Sequence, residues 1–313
     1  MTFIASIKAR NGVAIVADSL VTTSVPVLTF DDFHRFIEKN QAKSEFSVKD
    51  VIGLFKSQAH HTNDYEEKLI KYDKFTAITI AGSARIKNHT ISDIISFKAE
   101  QNKSNSDYNN MTLKNKVDDF EEYIKSVLSE KDQKPNIDTL FIFTHFDVKT
   151  KTTEIIELSV NAITVKDKYS IHAVSKPYPK GMKVVCNGQN NLTTTLLYGC
   201  ALKANGLLRM FVEKFIDVSK ARISQNRIED TLTQLEKNIY TEFPSLINEL
   251  NGFKIRDLSL QEAVDLAYLL LKVEMDFQRY TQDIPTIGGV IKVATIDHRG
   301  YIDICGNSII SPT

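Results

Sequence analysis

The chain has 313 residues, 42% of them hydrophobic and 25% charged, an ordinary globular composition with ample material for a buried core in one or two domains. Lys plus Arg and Asp plus Glu balance at 39 each, so composition gives no support for binding nucleic acid or an anionic membrane. Cys186, Cys200 and Cys305 are odd in number and far apart, which suits free thiols in a reducing compartment. The apolar runs FIASI and GVAIVA, with Lys8 and Arg10 between them, are too short for a signal or a membrane span. A soluble cytoplasmic protein is expected.

In chain order, TFIASIKARNGVAIVADSLVTT (2–23) alternates Phe3, Ala5 and Ile7 against Ile4, Ser6 and Lys8. It then turns at Arg10-Asn11-Gly12, and Asn-Gly between two β-rich runs predicts a hairpin. Asp18 stands at the end of its second strand. Residues 24–64 read as an insertion with a short helix near 31–42, and His60-His61 fall in what reads as a polar loop with no geometry for a metal site. EKLIKYDKFTAITIAGS (67–83) predicts two strands joined at Tyr72-Asp73-Lys74, and SARIKNHT (83–90) the solvated start of a helix.

Ile91, Ile94 and Ile95 give one apolar helical face, and Leu113, Val117, Phe120, Ile124, Val127 and Leu128 a second, with the polar loop 102–110 between them. Strands follow over 138–146, 152–160, 169–175 and 182–188, with His145 read as a hydrogen-bonded core or groove residue. Helical spacing resumes at Leu192 and runs to about Leu250, interrupted near Pro244. Ser259-Leu-Gln-Glu262 is a capping box that opens a strong helix, and 288–304 predicts a last hairpin turning at His298-Arg299-Gly300. Strands grouped with strands and helices with helices imply an α+β fold, two antiparallel sheets stacked face to face with a helical layer outside each.

Thr2 follows the initiator Met directly. Removal of Met1, favoured by a small side chain at position 2, leaves a residue carrying both a hydroxyl nucleophile and an α-amine base. Thr at position 2 is common, so this feature needs support from elsewhere in the chain.

That support is a resemblance. The opening 2–23 resembles the start of proteasome β-subunits and their bacterial relatives, the HslV-type peptidases and the Anbu-type ring proteins, all N-terminal nucleophile hydrolases. Thr2, Asp18 and Thr22 fall on the nucleophile, the buried acid and a substrate-contacting threonine. EKLIKYDKFTAITIAGS resembles the family's second hairpin, where a catalytic Lys precedes the oxyanion-hole Gly by fourteen residues; Lys68 and Gly82 have that separation. SLQEAVDLAYLLLKVE followed by GGVIKVATID is similar to the last long helix and the Gly-Gly strand after it.

The resemblance implies a single αββα four-layer domain over 1–313 with insertions at about 24–64 and 210–255. It implies a threonine peptidase or amidohydrolase needing no metal or cofactor, assembled as a homo-oligomeric ring and acting on peptides or unfolded protein, with an ATPase unfoldase as a possible partner. Val21, Ile80 and Ala84 would line the primary specificity pocket, with Glu66 at its rim.

Two departures accompany it. Asn187, in Cys186-Asn187-Gly188-Gln189, stands where the family has a serine, and its amide cannot exchange a proton as a hydroxyl does. The family's aspartate four residues before Gly-Gly is Ile284 here, with Asp283 adjacent and Asp276 upstream. A catalytically weak or inactive ring subunit is therefore an alternative expectation, and hydrolysis of a small amide on the same nucleophile is a third, since the fold hosts several such activities.

Overall fold

The structure is a computed structural model that describes residues 2–40, 46–63, 65–86, 89–105, 108–129, 137–165, 168–198, 257–281 and 285–304, with short stretches among 210–255. Strands β1 (Phe3–Ala9) and β2 (Gly12–Ala17) form the opening hairpin, and each is almost wholly buried. They lie in the middle of a five-stranded antiparallel sheet whose other members are β12 (Val184–Gly188), β13 (Lys292–Asp297) and β14 (Gly300–Ile304), in the order β12-β1-β2-β13-β14. A second five-stranded antiparallel sheet runs β11 (Lys168–Pro177), β10 (Thr152–Val165), β9 (Asp138–Asp147), β6 (Thr76–Gly82), β5 (Leu69–Lys71).

The strand period of two sorts the side chains into layers. From β1, Phe3, Ala5 and Ile7 join Ala14 and Val16 beneath Ala263, Val264, Ala267, Leu270 and Leu271 of the long helix here named α6 (Leu260–Thr281). Ile4 points the other way. With Val13, Ile15 and Ala17 it meets Ala77, Ala81, Ile142 and Phe146 of the second sheet, and Ser6 Oγ meets Thr144 Oγ1 at 2.8 Å across the same interface. The outer face of the second sheet is covered by α3 (Ile91–Lys103) and α4 (Leu113–Ser129), where Phe120 packs edge-on at 5.3 Å against both Phe141 and Phe143. The result is a mixed α+β molecule of two large antiparallel sheets with helices on their outer faces, compatible with a sandwich.

Local signals fare unevenly. The capping box is present: Glu262 N donates to Ser259 Oγ at 3.2 Å and Ser259 N to Glu262 Oε2 at 2.7 Å. The helix start expected at 83–90 is instead a pair of short strands, β7 (Arg85–Ile86) with β8 (His89–Thr90), because the helix cap falls at Thr90, whose hydroxyl accepts from Asp93 N. Gly82 therefore leads into β7 and not directly into a helix. Residues 24–64 hold more than one short helix. β3 (Val21–Val27) pairs with β4 (Lys56–Asn63) as a separate two-stranded arm carrying α1 (Phe30–Lys39) and α2 (Val48–Ile52) at its far end, and His60-His61 lie in β4, not in a loop. Helix α5 (Asn191–Tyr198) opens the helical region expected from Leu192. Of the helical stretch expected to run on to about Leu250, residues 226–231 are helical and most of the remainder lies outside the described residues, as do Cys200 and Cys305.

His145 sits in a buried polar cluster beneath α4. Its Nδ1 lies 2.8 Å from Thr76 Oγ1, which also accepts from Lys116 Nζ at 3.3 Å, while Lys116 Nζ pairs with Asp73 at 2.7 Å. Burial, and then the positive charge of Lys116, bring the imidazole from an ordinary 6.5 down to about 4. Between those values the unfolded chain binds the proton and the folded one does not, so stability is complete above about pH 6.5 and declines as pH falls towards 4. The loss is on the order of 3 kcal/mol. Urea midpoints measured across that range should slope for the native protein and be flatter for His145→Gln; identical slopes would remove His145 as their source.

Candidate active site

Thr2 is buried at the mouth of β1, held by its backbone. Its carbonyl accepts from Gln189 N at 2.7 Å, just beyond the end of β12. Gly188, with φ of +87°, makes that approach possible: a Cβ there would lie 1.9 Å from the Thr2 carbonyl oxygen.

The next amide along the chain, Phe3 N, donates to Asp18 Oδ1 at 2.9 Å, and Phe3 O accepts from Asp18 N at 3.2 Å. Asp18 is fully buried and is the hub of the site. Lys68 Nζ reaches both its oxygens, at 3.0 and 3.1 Å, and also donates to the Leu20 carbonyl; Gly288 N donates to Asp18 Oδ2 at 3.3 Å. Burial pushes the Asp18 carboxyl up and the Lys68 ammonium down from their ordinary values, and each charge opposes the shift of the other.

Backbone contacts lock the surrounding loops to this pair. Ser19 N and Leu20 N donate to Gly288 O at 3.1 and 3.0 Å, Val290 N donates to Ser19 Oγ at 2.7 Å, Glu66 N to Ser19 O at 2.8 Å, and Ile80 N to Lys68 O at 3.0 Å. Lys68 is thereby fixed to the strand that ends at Gly82. Gly82 itself is exposed, with φ of +110°, and a Cβ there would meet the Asp138 carbonyl at 2.2 Å.

Among the expected specificity residues, Val21 and Thr22 open β3 half-buried, Ala84 is half-buried after Gly82, and Ile80 is packed into the core beneath α3 and α4. Thr22 Oγ1 and Glu66 Oε1 are both buried without a hydrogen-bond partner among the described residues. Burial raises the Glu66 carboxyl, against the positive charge of Arg85.

Asn187 lies opposite Ile4 in the β1–β12 ladder, beside the candidate nucleophile, but its amide is engaged elsewhere: Nδ2 donates to Tyr178 Oη at 2.9 Å and to Glu157 Oε2 at 3.1 Å, and Tyr178 Oη donates to the same carboxylate. Asp276 does not stand in for the missing aspartate. It is part-exposed on α6 and bound to Lys272 at 2.6 Å. Asp283 and Ile284 lie outside the described residues.

Two contributors carry no sequence signal of their own. Ser19 and Gln189 act through backbone groups or single contacts in loops, where no periodicity marks them. The separation of Lys68 from Gly82, by contrast, corresponds to one physical link, the Ile80 N to Lys68 O bond.

A buried, hydrogen-bonded pair is costly to break one partner at a time, because the survivor is left charged and unpaired. Asp18→Ala should lower stability by about 3–5 kcal/mol, and adding Lys68→Met should recover a large part of it. Urea unfolding of the two single variants and the double variant checks this; additive losses would mean the two side chains are not coupled.

No known family model matches the chain, and no curated protein matches it.

Proposed function

We propose that this protein is an N-terminal threonine hydrolase of the proteasome β-subunit type, with the four-layer αββα fold of that group, cleaving peptide or amide bonds in the cytoplasm as a self-assembled ring. The observation that carries the reading is the fully buried Asp18 carboxylate bound at once by Lys68 and by the amide next to Thr2. It fixes a cation close to the start of β1, where a nucleophile freed by loss of Met1 would stand.

The α-amine of Thr2, with an ordinary pKa of about 7.7–8.0, is partly neutral at cytoplasmic pH and takes the proton of its own hydroxyl, directly or through a water. The oxygen adds to the substrate carbonyl carbon. The ammonium of Lys68 favours the developing alkoxide and keeps the α-amine basicity low, while Gly82 N–H faces the oxyanion. Collapse expels the amine, which takes up the transferred proton, and leaves an ester on Thr2 that water hydrolyses.

The Thr22 hydroxyl, without a partner among the described residues, suits a contact to substrate backbone, and the half-buried Val21 and Ala84 suit the wall of a pocket for an apolar side chain. Self-association is supported by apolar residues exposed on both outer helical layers, Phe97 on α3 and Leu269, Phe277 and Tyr280 on α6, and by Phe30, Val48 and Ile52 on the arm. Substrate would be peptide or unfolded protein, with an ATPase unfoldase to deliver the latter.

A second reading, a ring subunit with weak or absent chemistry, is favoured by one observation: Asn187 spends its donors on Glu157 and Tyr178. Intact mass before and after incubation with a peptide epoxyketone separates the two. A species lacking Met1 that gains one inhibitor mass, with no gain for Thr2→Ala, is the outcome expected of the hydrolase. Retained Met1, or a free Thr2 that never reacts, would leave the scaffold reading standing.

A further inference from the structure

Gln278 lies on α6 and is 2% exposed. Its side-chain oxygen accepts from Thr286 N at 2.8 Å and Ile287 N at 3.0 Å, and lies 3.3 Å from the Thr286 hydroxyl. The orientation of the amide is dictated by those contacts, since two backbone N–H groups must meet an acceptor. Its Nε2 finds no partner among the described residues. A methionine of the same length would fill the space equally well, so hydrophobic packing does not account for an amide here.

The segment it holds touches the site twice. Thr286 Oγ1 donates to Gln189 Oε1 at 2.6 Å, and Gln189 is the residue whose N–H fixes the Thr2 carbonyl. Two residues after Thr286, Gly288 N supports Asp18 while its carbonyl receives Ser19 N and Leu20 N. One turn back on the same face of α6, the buried Glu274 accepts from Thr193 N at 2.7 Å and so secures α5, which begins two residues after Gln189. The two polar residues of α6 thus brace both loops between which Thr2 and Asp18 are suspended.

We infer that Gln278 is a positioning residue for the Thr2 centre: its carbonyl clamps Thr286–Gly288 and, through Thr286 and Gln189, fixes the backbone of the nucleophile relative to Asp18 and Lys68. This rests on the hydrolase reading for its catalytic consequence, though the clamp itself is a property of the fold. It also gives the loop before Gly288-Gly289 an anchor that Asp276, turned to the surface, does not provide.

The test compares Gln278→Met, of equal length with no acceptor for the two amides, and Gln278→Glu, which keeps an oxygen in place. The rate of epoxyketone addition at saturating probe, the probe concentration for half-maximal rate, and amide exchange over 186–190 and 285–290 are followed in the full-length protein. Gln278→Met should react about tenfold or more slowly with little change in half-saturation, as expected when a reacting group is misplaced without losing the binding site. Its two loops should exchange faster, and Gln278→Glu should restore both readouts to within a few fold of the native protein. A native rate for Gln278→Met, or a Gln278→Glu variant as slow as Gln278→Met, would overturn the inference. If the native protein never reacts, the hydrolase reading fails by itself and exchange decides the clamp: loops faster in Gln278→Met and restored in Gln278→Glu sustain it, unchanged loops overturn it.

Discussion

Everything around the candidate site is arranged to keep one carboxylate out of water. Asp18 is fully buried, and an unpaired charge in that position would cost several kcal/mol. Phe3 N, Gly288 N and Lys68 Nζ converge on it, and those donors come from the first strand, from the loop before β13 and from the residue just ahead of β5. A single side chain therefore sets the relative position of three segments that belong to two different sheets. The need to satisfy it also explains why the neighbouring backbone is so fully bonded, with Ser19 and Leu20 both docked onto the Gly288 carbonyl. Replacing both members of such a pair by hydrophobic residues of similar volume is often neutral for stability, so under the proposed hydrolase reading the pair is accounted for by the cation it fixes near the start of β1.

Backbone geometry completes what the charges begin. At Gly188 and Gly82 the chain adopts positive φ and passes so close to another carbonyl that any Cβ would collide with it. Both positions lie at strand ends, one beneath Thr2 and one at the end of the strand tied to Lys68. Side-chain chemistry is thus concentrated in Thr2, Asp18 and Lys68, while the surrounding shape is made by main chain. That division suits a site in which an extended substrate backbone would need donors and acceptors already in place.

The parts legible in the sequence are those governed by local rules. The Asn11-Gly12 turn, the Ser259–Glu262 capping box and the apolar faces of α3, α4 and α6 each depend on residues a few positions apart, and the two antiparallel sheets follow from their order. Thr2, Asp18, Lys68 and Gly82 could be nominated together because their separations match a known pattern, and three of them are tied to one another by hydrogen bonds or adjacent backbone. The β3–β4 arm is illegible in the sequence because VTTSVPV carries a proline and KSQAHHTN has a single apolar residue, so neither offers an apolar alternation long enough to mark a strand. The β7–β8 pair reads as a helix start because Thr90, the true cap, lies seven residues after Ser83 in a stretch with no apolar period. Gln278 was invisible for a different reason: its partners are backbone amides eight and nine residues away, and any loop could have offered them.

Asn187 shows how a departure from a familiar pattern can be weighed physically. An amide has two donor hydrogens on Nδ2, and both are used, one on Tyr178 and one on the Glu157 carboxylate that Tyr178 also engages. The side chain therefore joins β12 to β10 and to the residue after β11, fastening the strand that carries Gly188 and, beyond it, Gln189 against the second sheet. It contributes to the position of the Thr2 carbonyl and takes no part in moving a proton. In a hydrolase built this way, proton traffic would be confined to the α-amine, the Thr2 hydroxyl and any water between them, with Lys68 acting as a fixed charge. The chemistry would then depend on one titrating group near neutrality instead of a relay, and the bracing of that group by Gln189, Thr286 and Gln278 would matter correspondingly more.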